Sequence, residues 1–68
     1  MSKWIKTVDS DGNKVFIDLE SIVCFEPDRF DDCGEVVFNG HSIPIPKKEL
    51  SPIIEYLEEK VRINENCH

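Results

Sequence analysis

The chain has 68 residues, 40% of them apolar, and a formal net charge of −6; this is enough for one domain and too little for two. Eight basic residues face fourteen acidic ones, a balance that excludes partners held chiefly by phosphate contacts, whether DNA, RNA or anionic lipid. Met1 to Lys6 has no apolar core of an export signal, and no apolar stretch approaches the ~18 residues that span a bilayer, so Cys24, Cys33 and Cys67 are expected reduced in a cytoplasm.

Trp4–Val8 is rich in aromatic and β-branched residues, which suit a half-buried strand. Asp9 to Asn13 is a cluster of turn formers. Lys14 to Leu19 follows, with Val15, Ile17 and Leu19 on one face by the two-residue period. Two apolar runs about a Gly-containing turn predict a β-hairpin. Leu19 to Ser21 reads as a short turn into a third strand, Ile22 to Glu26, which Pro27 stops. A polar loop rich in Asp runs from Pro27 to Gly34, with Phe30 as its one large apolar residue. Glu35 to Phe38 is a fourth strand. Asn39-Gly40 predicts a two-residue type I′ turn, and His41 to Ile45 returns as a fifth strand. Pro44 cannot donate to a ladder, so this strand belongs at an edge or turns its N–H side to solvent.

After Pro46 the period changes to 3.6. Leu50, Ile53, Ile54, Leu57 and Val61 form one stripe of an amphipathic helix at about residues 52–62. Ser51 is placed to cap it and Pro52 to open it. A preliminary turn is expected at Lys47 to Leu50. Glu58 and Arg62 form a favourable i, i+4 pair on the outer face, and residues 64–68 read as a frayed tail. The expected architecture is a single α+β domain over residues 1–63. Its five-stranded antiparallel sheet is strongly bent, or closed into a small, partly open barrel, with the C-terminal helix over it.

Few residues carry chemistry. Asp9, Asp11, Asn13, Val15, Ile17 and Glu20 occupy positions 1, 3, 5, 7, 9 and 12 of a calcium-binding loop. Position 6, which needs glycine, is Lys14, and the flanks read as strand, so a plain hairpin turn is the stronger reading. Asp9, Asp11, Asn13 and Glu20 are retained as the calcium candidates. Cys33, His41, Cys67 and His68 offer zinc-type atoms without the close pairing that structural zinc sites use. Cys33 is read as a loop thiol whose acidic neighbours raise its pKa, the opposite of nucleophile activation. Cys24 is read as a small packed hydrophobe. Gly12, Gly34 and Gly40 are all assigned to turns. No catalytic residue and no cofactor is expected.

The order Ile5–Val8, Gly12-Asn13 with Lys14-Val15-Phe16-Ile17, Leu19 to Val23, Glu35 to Gly40, Ile43 to Ile45 and Lys48-Glu49-Leu50 resembles the small FlbD-type bacterial flagellar proteins. More distantly it resembles the β-rich LytTR DNA-binding domain. The resemblance covers most of the chain and implies a topology. The loop from Asp28 to Gly34 is longer and more acidic than that pattern, and Pro44 and Pro46 interrupt its last strand. The DNA binding that the second comparison implies runs against the acid balance.

The function expected is a non-enzymatic protein–protein interaction module acting through a strand edge or a helix face, with Trp4, Asp28, Asp31, Asp32 and Glu35 as interaction candidates. At this size folding hides only about 60% of the surface of the unfolded chain, which keeps a homodimer open. Two alternatives stand beside it. The Asp18 to Glu35 acid run suits a phage- or host-encoded acidic decoy that fills a basic nucleic-acid-binding groove on a partner. The Asp9 to Glu20 spacing suits a calcium module.

Overall fold

The computed structural model describes residues 3–65 and gives a small α+β fold with five strands, short 3-10 turns and one C-terminal helix. The strands are β1 (Trp4–Val8), β2 (Lys14–Asp18), β3 (Cys24–Glu26), β4 (Cys33–Phe38) and β5 (His41–Pro46); the helix is α1 (Ser51–Glu65). They form two antiparallel sheets, β1-β2 and β3-β4-β5, not the single bent sheet or partly open barrel expected from the sequence.

Two local features split the sheet. After β2 the chain turns through a 3-10 helix at Leu19–Ser21, and Asp18 caps it by accepting hydrogen bonds from the Glu20 amide and the Ser21 hydroxyl. The turn carries the chain away before Cys24, so β3 pairs only with β4. On the far side, β5 meets β4 from Phe38↔His41 to Cys33↔Pro46. With a two-residue loop the flanking pair is hydrogen-bonded and the pattern alternates, so Pro44 and Pro46 turn their missing donors to the outer edge. That edge cannot ladder with the hairpin. The Ser10 amide of the hairpin turn donates to the Pro44 carbonyl there, at 3.0 Å. β5 is thus an edge strand, as Pro44 requires.

Both hairpin turns use glycine at positive φ, Gly12 at 84° and Gly40 at 97°. In the first, the Gly12 amide bonds the Asp9 carbonyl and the Asp9 amide bonds the Asn13 carbonyl, the arrangement of a three-residue loop with a left-handed glycine. In the second, Asn39 keeps a negative φ. The φ signs are those of a type II turn, and the expected type I′ turn is not formed.

The core is Ile17 from the hairpin, Leu19 from the 3-10 turn after it, Val36 and Ile45 from the larger sheet, and Leu50 and Ile53 at the entry to α1. A 3-10 turn at Lys47–Glu49 leads straight into the helix. The Leu50 carbonyl accepts the Ile54 amide at 2.9 Å, so Leu50 stands where Ser51 was expected to cap. α1 also runs to Glu65, into part of the expected tail. Residues 66–68 lie outside the described residues. Among the described residues no helix is long and apolar enough to cross a membrane.

Candidate protein-interaction surfaces

The twelve residues from Asp9 to Glu20 are not a loop. β2 runs extended through their middle, so Glu20 lies beyond about 16 Å of strand from Asn13. Asp9 instead organises its own turn: its Oδ1 accepts the Asp11 amide at 3.0 Å and the Asn13 amide at 2.9 Å, an Asx turn. Glu20 sits on the next 3-10 turn. Among the described residues, no group of three or more His, Cys, Asp or Glu side chains is placed to hold a metal ion.

Cys33 is the first residue of β4 and is buried, not a loop thiol. Its pKa is raised, first by burial, then by the charge of Asp32 and a hydrogen bond to it, then by Glu35; Lys47 acts weakly the other way. His41 lies at the opposite end of the β4–β5 hairpin, stacked on Phe38 with ring centroids 5.2 Å apart. The two therefore form no Cys–His pair. Cys67 and His68 lie outside the described residues. Cys24 is exposed on β3, not packed as a small hydrophobe. Gly34 is buried inside β4, not in a turn.

The acid run is partly neutralised from within the chain. Asp28 receives the Lys47 ammonium at 2.8 Å. Glu35, which pairs directly with Glu26 across β3 and β4, has the Arg29 guanidinium at 3.8 Å and the Ser42 hydroxyl at 3.2 Å. Both contacts offset the like-charge repulsion of a directly opposed pair. Asp31 and Asp32 are exposed. Arg62 bonds Glu59 rather than the expected Glu58.

Two surfaces stand out instead by what they leave uncovered. Ile5, Thr7, Val15 and Ile17 face inward on the hairpin, which places Trp4, Lys6, Lys14, Phe16 and Asp18 on the outer face. Trp4 is 60% exposed and Phe16 63%, so Trp4 is not core. Trp4 opposes Asp18 while Lys6 opposes Phe16, which makes the two aromatics diagonal neighbours. Beside them a hollow is lined by Trp4, Phe16, Ser21, Phe38 and His41.

The second surface is an open groove between β3 and the far half of α1, lined by Ile22, Val23, Phe25, Leu57 and Val61. Val23 is 69% exposed and Val61 55%, whereas Ile53 on the same helix stripe is fully buried. The apolar stripe therefore runs past the sheet that covers its start. Phe16, Val23 and Val61 were missed as surface residues. A signal existed for Phe16: it is out of phase with Val15, Ile17 and Leu19.

Comparison with protein-family models, curated proteins and solved structures finds no match to this chain.

Proposed function

We propose that the chain is a non-enzymatic protein-interaction module and that the outer face of the β1–β2 hairpin is its binding surface. The observation that carries this is the exposure of Trp4 and Phe16 side by side on one face. Tryptophan concentrates binding energy where it can be buried by a partner, and a hairpin that needed only its own core would have polar residues there. Lys6 and Lys14 flank the aromatics, so the face suits an apolar protein segment that carries carboxylates. The raised pKa of Cys33 counts against that thiol as a nucleophile, which needs the opposite shift. From the FlbD-type resemblance this reading takes the topology alone.

The test uses affinity capture from the native host with wild type, a Trp4→Ser/Phe16→Ser variant and a Lys6→Glu/Lys14→Glu variant, each matched for fold by circular dichroism. A protein held by wild type should be lost with both variants, and the purified partner should shift Trp4 emission to the blue. Unchanged binding of that purified partner by both variants refutes the surface.

The exposed carboxylates of Asp28, Asp31 and Asp32 at the β3–β4 loop support the acidic-decoy reading. Under it, charge reversal at these three, and not at Trp4 and Phe16, abolishes capture.

A further inference from the structure

We infer that the shallow groove between β3 and the far half of α1 is a self-association surface, covered by the same face of a second copy with the two α1 helices packed antiparallel. The inference deepens the interaction reading but uses a different face from the Trp4–Phe16 surface. Burial along the helix stripe falls from Ile53, fully covered, through the half-covered Leu57 to Val61, 55% exposed. The chain keeps writing core residues where its own sheet has ended. Val23, 69% exposed, stands across the groove.

Charge chooses the occupant. Glu58 and Arg62 border the groove one turn apart on the same flank of α1. Under a two-fold axis across the helices that flank meets its own copy in reverse order, so Glu58 comes beside Arg62 of the partner subunit, and the contact occurs twice. A parallel pairing would set Glu58 against its own copy. Arg62 is held to Glu59 in the single chain, an exposed pair that exchanges readily for another carboxylate.

The arrangement makes a test that no general stickiness can imitate. By analytical ultracentrifugation, wild type should sediment as a dimer at high concentration. Glu58→Arg alone and Arg62→Glu alone should each weaken association roughly tenfold or more. An equimolar mixture of the two variants should recover it as a heterodimer, because each then presents what the other lacks. Val61→Asp, with helix content unchanged, should be monomeric. In a Cys67→Ser background Cys24, on the groove lining, should lose reactivity toward a thiol reagent as protein concentration rises. Wild type that stays monomeric at millimolar concentration, or a variant mixture no more associated than either component, overturns the inference. Either result leaves the Trp4–Phe16 surface standing, since its test reads capture of another protein.

Discussion

Gly34 offers the sharpest test of how the fold is held, because its backbone has no need of glycine and its surroundings do. It lies in β4 without positive φ, yet a Cβ built there would meet the Glu26 carbonyl oxygen, the Pro27 Cα and the Leu50 Cδ1, each at 3.0 Å. Two of these are backbone atoms at the end of β3. The third belongs to a side chain only 3% exposed, which has no solvent to swing into. Gly34→Ala therefore overpacks the point where β3, β4 and the entry to α1 meet, at a cost of about 1–3 kcal/mol. Losing the glycine's freedom in the unfolded chain returns about 0.4–1 kcal/mol, so the net loss centres on about 1.3 kcal/mol. For a domain of this size that lowers Tm by roughly 5–10 °C. Thermal denaturation followed by circular dichroism measures it. Repeating the substitution in a Leu50→Val background separates the cause: with the Leu50 branch drawn back, the cost of Gly34→Ala should shrink by about 0.5 kcal/mol or more. A Gly34→Ala protein with Tm equal to or above wild type refutes the reasoning, as does a cost indifferent to Leu50.

Thr7 is 5% exposed and its hydroxyl has no hydrogen-bond partner among the described residues, so Thr7→Val, which keeps the shape, should stabilise by about 1 kcal/mol. Thr7→Ser, which keeps the hydroxyl and loses the methyl, should destabilise; urea midpoints of the two variants check the pair, and a destabilised Thr7→Val would show a partner for the hydroxyl. The raised thiol pKa of Cys33 means that the native state holds this proton more tightly than the unfolded chain. Its contribution to stability is complete below the unfolded thiol pKa and is lost as pH rises through the higher folded value. In a Cys24→Ser/Cys67→Ser variant, stability should therefore fall on the alkaline side, above about pH 9, more steeply than when Cys33→Ala is added. Equal alkaline slopes would show that Cys33 does not contribute.

The strands and the helix were legible because each rests on a local signal. Trp4–Val8 as a strand, the turn at Leu19 to Ser21 and the 3-10 turn before Leu50 all follow from residues adjacent in the chain. What the sequence concealed is cover. A two-residue period says that Val15 and Ile17 share a face, and that Phe16 does not, but not which face a second layer will reach. Cys24 reads as packed because it stands between Val23 and Phe25; β3 is too short, and too near the edge, to be covered on both sides. Cys33 reads as exposed because it ends an acidic loop, yet it starts β4 and is buried. Gly34 shows the limit most clearly. The groups that exclude its Cβ come from Glu26, Pro27 and Leu50, which meet only in the folded chain. The splitting of the sheet has the same origin: Pro44 announced an edge, but that the hairpin would stand off from it depended on how Asp18 closes the turn after β2. For this chain the uncovered surface, at Trp4 and Phe16 and along Val23 and Val61, is where function has to be sought. It is also the part of the structure that a periodic pattern, blind to the second layer, could least reveal.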